Sequence, residues 1–382
     1  MIDDMKSIAI IGGGTAGMTC AVVLARRGMN VTVLERGERL GRKLSASGNG
    51  QGNVTNLKMG QEHYFSDDNG KVGRLLERFG AEDTVRFLEG MGGIFLPDSR
   101  SRVYPAGRQA SAVTDLLRGE LQRLGVQVIF QARVEKLSFH RQFSLKWAGG
   151  QMNADKVLLA AGGKAAPNFG TDGSAYALAE GFGHSVTPCR PVLVQLKCDP
   201  ASVRGLKGIR VDGTVRVLRN GKVKCERRGD ILFTESGISG DAVFLASSYA
   251  QTGDNIELDL LPDVSAERLL SVLNDGAPER LLCVVNNGLA RMLLRRAETE
   301  NLPLLKLIKS FPLTVTGTLG FAYAQATRGG IPLSETDENL MSLKRENLYF
   351  AGEILNVDGE CGGYNLQWAF TSAHAVAEGM LS

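Results

Sequence analysis

The chain has 382 residues, 43% hydrophobic and 22% charged, the proportions of an ordinary folded protein, and it is longer than one hydrophobic core usually serves, so two or three domains are expected. With 44 basic against 41 acidic residues the net charge is +3, too balanced to point by itself to a nucleic-acid or membrane partner. Apolar runs fall short of the roughly 20 residues a spanning helix needs, and the first is broken by glycines and followed by Arg26-Arg27, unlike a signal peptide, so the protein is read as cytoplasmic and without a membrane partner.

The first forty residues organise the rest. Ser7-Ile8-Ala9-Ile10-Ile11 is a short apolar strand, Gly12-Gly13-Gly14-Thr15-Ala16-Gly17 a glycine turn, residues 18–27 a helix closed by Gly28, and Val31-Thr32-Val33-Leu34 a second strand ending on Glu35. This is a nucleotide-binding βαβ unit. Gly12 serves the tight turn, Gly14 lets the backbone approach a pyrophosphate, and Gly17 lets helix and strand pack closely. The N–H groups of Thr15 and Ala16 at the helix start face phosphate. Glu35 is placed to accept hydrogen bonds from a ribose 2′-OH and to repel a 2′-phosphate, with Arg36 beside it.

Gly41-Arg42-Lys43 then leads into a polar loop, Ser45-Ala46-Ser47-Gly48-Asn49-Gly50-Gln51-Gly52-Asn53-Val54-Thr55-Asn56. As a mere surface loop it needs no partner; following the acid-terminated strand, it is placed to meet a cofactor. Arg42 or Lys43 can neutralise pyrophosphate, while Ser47, Gly48, Asn49 and Asn53 offer polar groups to the remainder. Residues 60–110 read as a largely helical excursion, with helices at 72–79 and 82–91, and carry Arg100, Arg102 and Arg108. A helix at 111–124, a strand at 126–130 and a β-meander at 137–147 follow. The intervening Ala132-Arg133-Val134 is similar to the place where a flavoprotein presents backbone groups to adenine. A buried strand, residues 155–163, ends in Ala161-Gly162-Gly163, small enough for close passage beside a cofactor. The later glycine cluster, Gly170-Thr171-Asp172-Gly173, lacks a helix and an acid in register. One dinucleotide is therefore expected, with no built-in nicotinamide domain.

From about residue 190 the character changes. Strands are expected at 192–198 and 209–217, and Arg219-Asn220-Gly221-Lys222 between alternating runs is a strong hairpin signal. Helices are expected at 242–249, 266–274, 279–297 and 304–309. Arg291, Arg295 and Arg296 share one helix, as a solvated face or an anion-binding one. The expected organisation is a nucleotide-binding domain at 1–189 and 321–382, interrupted by an insert at 190–320 whose β part covers about 190–236 and whose helical part about 238–310. In the return segment, Asn347-Leu348-Tyr349-Phe350-Ala351-Gly352-Glu353 is a strand and Gly362-Gly363-Tyr364-Asn365 opens a last helix at 366–380. Glu353 is placed to meet a ribityl chain, and the helix start to face a flavin N1 and O2. The six cysteines are scattered, with no CxxC pair and no metal-ligand cluster, so neither a metal nor a CxxC redox disulfide is expected.

Four stretches carry a family resemblance: Gly12 to Gly17 with Glu35; Gly41-Arg42-Lys43 with Ser47-Gly48-Asn49-Gly50 and Asn53-Val54-Thr55-Asn56; Phe233-Thr234 with Gly237-Ile238-Ser239-Gly240; and Phe350-Ala351-Gly352-Glu353 through Asp358-Gly359 to Gly363-Tyr364-Asn365-Leu366-Gln367-Trp368. Over nearly its whole length the chain resembles the HI0933-like family of bacterial FAD-binding proteins, also called the aminoacetone oxidase or BaiN-like family. The resemblance implies an α/β fold, a Rossmann-like FAD-binding domain with a mostly parallel sheet in three layers, interrupted by an inserted β-plus-helical domain. It implies non-covalent FAD; with no second nucleotide domain visible in the sequence, the reductant is expected to be transient NAD(P)H or another donor. Members are associated with amine oxidation and with reduction of activated C=C bonds, including steroid enones and a uracil ring in ribosomal RNA.

The chain departs from the family where Gly50-Gln51-Gly52-Asn53 replaces the usual Gly-Arg-Cys-Asn, and where Arg328 takes the place of a smaller residue and is expected in a substrate pocket. The leading expectation is an FAD-dependent oxidoreductase passing a hydride between flavin N5 and a small organic substrate held between FAD domain and insert. Tyr364 is the candidate proton donor or flavin-facing residue, with a packing tyrosine as the plain alternative; His184 and His374 are read as structural. The rivals are a flavin-dependent RNA-modifying reductase acting on a uracil ring, with the arginines as its phosphate surface, and a redox-inert FAD-binding protein.

Overall fold

The computed structural model describes residues 6–273 and 278–382. The chain divides into two compact units, Met1–Arg190 with Ala326–Ser382, and Pro191–Gln325.

The first unit is built on a five-stranded sheet in the order Leu348–Phe350, Lys156–Leu159, Ser7–Ile11, Asn30–Leu34, Gln127–Ile129, with every neighbouring pair parallel. Ile8, Ile10, Val33, Leu158 and Phe350 are fully buried, as the strands of a sheet covered on both faces must be. One covering layer is helical: Thr15–Arg26 packs on the last helix, Tyr364–Leu381. The other is an antiparallel meander, Val134–Phe139, Phe143–Trp147 and Gly150–Ala154, whose Leu137, Phe143 and Leu145 join the same core. This is the three-layer α/β architecture expected.

Two local readings need correction. The stretch at 60–110 is α-helical only at Asn69–Arg78 and Ala81–Glu89, with a 3-10 turn at Gln61–His63; beyond them Phe95–Pro97 and Arg102–Pro105 pair as a hairpin, joined to Thr55–Asn56. The cause is Asp98, whose carboxylate accepts the N–H groups of Arg100 and Arg102 and so forms a turn that a helix cannot contain. The last helix begins two residues early, because Gly363 takes a left-handed φ of 105° and serves as its N-cap.

The second unit is a closed six-stranded barrel: Leu196–Cys198, Gly237–Ser239, Lys222–Phe233, Arg210–Arg219, Asn255–Asp259 and Phe311–Thr318. The hairpin forms at Asn220 and Gly221, with φ of 52° and 73°, both positive as a type I′ turn requires. The division into a β part at 190–236 and a helical part at 238–310 is not what the structure shows. Gly237–Ser239, Asn255–Asp259 and Phe311–Thr318 lie beyond that boundary and close the barrel. Ile256 and Leu258 fill its interior beside Phe233, Ile238 and Leu313. Helices Asp241–Ser247, Ala266–Leu273, Asn287–Glu300 and Leu304–Lys309 complete the unit. Residue 274 of the expected 266–274 helix lies outside the described residues. The expected 279–297 helix is instead a 3-10 stretch, Pro278–Cys283, and a fresh α-helix, because the Asn286 side chain accepts the Gly288 N–H (2.9 Å) and caps a new start.

Candidate functional site

The glycine turn sits at the carboxyl end of the central strand, where open α/β sheets bind ligands. Gly12 has φ 107°, and a methyl group there would lie 2.6 Å from the Ala160 carbonyl oxygen; at Gly17 it would lie 2.0 Å from that of Gly12. A methyl at Gly14, by contrast, would meet nothing within 4 Å. Gly14 N-caps the 12-residue helix Thr15–Arg26 without a side-chain hydrogen bond, and the first turn carries no acid. Its N–H groups and positive dipole end are left for an anion.

Glu35 accepts the N–H of Gly13 (2.8 Å) on one carboxylate oxygen and that of Gly37 (2.6 Å) on the other, tying the strand end to the turn. A carboxylate with about four acceptor positions retains capacity beyond these two bonds. Ala132 donates its N–H to the Glu35 carbonyl (2.9 Å), which brings Arg133 and Val134 to the same edge. On the other flank the Ala160 N–H bonds the Ile11 carbonyl, so Ala161 and Gly162 leave the sheet beside Gly12.

The polar loop turns sharply through Gly48 and Asn49, with φ of 57° and 54°. It is held against the last helix: a methyl at Gly363 would lie 2.5 Å from the Thr55 carbonyl and 2.9 Å from Asn53 Oδ1. Asn53 Oδ1 and Ser47 Oγ are buried polar atoms with no protein partner. Below them Gln367 is fully satisfied, accepting from Thr55 (2.6 Å) and Thr84 (2.9 Å) and donating to Thr371 and the Phe79 carbonyl. That network fixes the helix, whose start, without a side-chain cap, faces the loop. Asn365 clamps the approach, exchanging hydrogen bonds with Gly359 through both of its side-chain atoms (2.9 and 2.8 Å).

Glu353 links three segments. One carboxylate oxygen pairs with Lys43 (2.5 Å), and the other accepts the Thr327 N–H (3.0 Å). Thr327 is fully buried, and its hydroxyl oxygen accepts the N–H groups of Lys164 and Ala165. Gly352 donates its N–H to Ser372 and accepts from the Trp368 indole; a methyl on it would lie 3.1 Å from Ala16 Cβ. Residues from both ends of the chain thus frame one groove.

Other expected residues occupy different surroundings. Tyr364 donates its hydroxyl to the Lys58 carbonyl (3.2 Å), and its ring stacks on His63. Burial, then the Glu360 and Glu62 carboxylates, push that hydroxyl up to about 12. Arg328 binds Asp358 through two 2.8 Å bonds and lies over the Phe65 ring. Burial raises the Asp358 carboxyl, and the guanidinium only partly offsets it. Arg42 donates to the Asn168 carbonyl (2.7 Å), and Arg36 pairs with Asp172 (2.7 Å). Arg102 is held by Asp98, while Arg108 lies over Tyr104 and donates to Gln51. Gly52 packs on the Ala110 backbone, where a methyl would come within 2.9 Å, so this chain has no room for a cysteine there. Thr327, Asp172 and Ser372 carry no signal in the sequence: each acts on a residue distant in the chain, and no local motif marks it.

Among the described residues no cluster of His, Cys, Asp and Glu could hold a metal ion, and no helix is long and apolar enough to cross a membrane. The residues present fit an FAD: open space at Gly14, a helix start with no side-chain cap, Ser47 and Asn53 oxygens without a protein partner, and a carboxylate at each end of the groove.

Fold and groove together have the organisation of an FAD-binding Rossmann domain. Residues 6–379 match the HI0933-like protein Rossmann domain, and the chain belongs to the HI0933-like family of flavoproteins. It is 34% identical to a 3-dehydro-bile acid delta(4,6)-reductase of Clostridium scindens, over 97% of this chain and 98% of that one. It is 30% identical to a ribosomal RNA dihydrouridine synthase of Escherichia coli, over 98% and 97%. Among solved structures, a 3-ketosteroid-delta4-(5alpha)-dehydrogenase from Rhodococcus jostii RHA1, in complex with 4-androstene-3,17-dione, has the same fold, with a TM-score of 0.53 at 17% identity over 99% of this chain and 98% of that one.

Proposed function

We propose that the protein is an FAD-dependent reductase of a C=C bond conjugated to a carbonyl in a small organic substrate, reduced in turn by NADH or NADPH binding transiently. The observation that carries this reading is the dinucleotide groove in a chain 34% identical, over 97% of its length, to a relative named as a reductase. FAD supplies the hydride chemistry. The chain's residues bind and orient it: Gly12, Gly14, Thr15, Ala16 and Gly17 at the pyrophosphate, Glu35, Arg36 and Val134 at the adenosine end, and Lys43 with Glu353 at the ribityl chain. Ser47, Gly48, Asn49, Asn53, Gly363 and Asn365 serve the pyrimidine edge, and Ala161 and Gly162 give close passage. Tyr364, with its proton held high and donated to a backbone carbonyl, positions the helix start rather than supplying a proton.

A uracil ring presents the same conjugated bond, and the 30% identity to a ribosomal RNA dihydrouridine synthase supports RNA as the second reading. Amine oxidation is the third.

Anaerobic stopped-flow absorbance in the visible flavin band tests all three. Bleaching by NADH or NADPH, followed by recovery on adding a steroid enone, is the expected result. Recovery on unmodified ribosomal RNA, with none on the enone, would move the assignment to the RNA reaction. Bleaching by an amine with no response to either nicotinamide would overturn both reductase readings.

A further inference from the structure

Residues 164–173 play no part in the contacts assigned so far to FAD, yet they are tied down at both ends. The segment leaves the carboxyl end of Lys156–Leu159, one neighbour of the central strand. Its far end is gripped by arginines that follow Asn30–Leu34, the neighbour on the opposite side. Arg42 takes the Asn168 carbonyl, and Arg36 takes Asp172 at 2.7 Å. Arg133, brought to this edge by the Ala132 to Glu35 hydrogen bond, reaches the second Asp172 oxygen at 3.4 Å. Those two anchor points flank the end of Ser7–Ile11, the strand that leads into the Gly12 to Gly14 turn. The segment is pinned at its near end by Thr327 and bends at Ala166, Gly170 and Gly173, with φ of 58°, 99° and 75°.

We propose that residues 164–173 form a strap across the adenosine and pyrophosphate half of the groove, and that Asp172 is its latch, setting how long a bound FAD stays. Asp172 is a positioning residue: it bridges Arg36 and Arg133, and those two guanidiniums with Arg42 hold the strap over the turn. A pair of ion pairs on one carboxylate that is 35% exposed can be released without unfolding the sheet beneath, as a latch must. The proposal rests on the FAD reading of the groove.

The test is the FAD-loaded full chain, diluted, with release followed by the rise in free-flavin fluorescence. Asp172→Asn is expected to release FAD about fivefold to tenfold faster at low ionic strength. Wild-type release should accelerate with salt, and the gap should close near about 1 M salt, where screening acts within about 3 Å. Arg133→Gln, at a half-exposed side chain that does not threaten folding, should give about a twofold acceleration. Glu226→Gln, which removes the Arg216 pair in the barrel unit, should change nothing. FAD loading with wild-type release rates in both Asp172→Asn and Arg133→Gln would overturn the strap alone. A wild-type chain that holds no FAD would overturn the cofactor reading and the strap with it.

Discussion

Gly14 and Gly17 stand three positions apart and answer to different constraints. Gly14 has an ordinary extended conformation, φ −79° and ψ −171°, which any residue adopts, and its missing side chain borders open space. Gly14→Ala should therefore leave the cofactor-free protein within about 0.5 kcal/mol of wild type, while FAD affinity falls at least about tenfold because the methyl takes the place of an approaching phosphate. Gly17→Ala puts a methyl 2.0 Å from a backbone carbonyl and should cost about 1–3 kcal/mol of stability before any cofactor is added. Denaturant unfolding of the two apo variants, with fluorescence titration of FAD, separates the effects; wild-type affinity in Gly14→Ala would refute the assignment. Such roles can be read from sequence because turn and helix start are local. That Thr327 seats Lys164 and Ala165 cannot be, since those partners are about 160 residues away and are brought together only by the sheet.

The last helix, Tyr364–Leu381, carries a pH dependence of its own. His374 stacks on Phe79 with ring centres 3.5 Å apart, meets Phe87 edge-on and bonds the Phe370 carbonyl. Burial pushes it down to about 4 against the opposing pull of that bond and of Glu378 and Asp83, with Arg26 adding to the depression. The folded chain therefore holds this imidazole neutral while the unfolded chain takes up a proton near about 6.5, so stability falls as pH falls between about 6.5 and 4, by on the order of 3 kcal/mol. Urea unfolding across that range should show a shallower loss in His374→Phe; an unchanged slope would assign the dependence to other groups. At this scale, legibility depended on how far the partner lay. The Asn220-Gly221 hairpin and the helix Leu304–Lys309 stand where local pattern puts them. The strand Asn255–Asp259 is five residues whose pairing with Arg210–Arg219 and Phe311–Thr318 is set by a barrel that no local period announces.

Each unit has its own buried core, one centred on the parallel sheet and one filling the barrel. A cofactor that binds only the native first unit stabilises it by mass action, about 2.7 kcal/mol at a hundredfold excess over Kd. Hydrogen exchange should show this as slowed amides in Ser7–Ile11 and Lys156–Leu159, with those of Phe311–Thr318 unchanged. Equal slowing in both units would contradict a groove confined to the first.

The groove joins Ala16 to Gly352, Lys43 to Glu353 and Asn53 to Gly363, pairs separated by more than three hundred residues. At about 5–20 residues per second a ribosome delivers these partners tens of seconds apart, never together. While the barrel unit, continuous in sequence, has all it needs to fold on emergence, the Lys156–Leu159 strand waits with one edge bare for Leu348–Phe350. The groove is thus complete only once Leu348–Phe350 has emerged, and until then the Lys156–Leu159 strand lacks that neighbour.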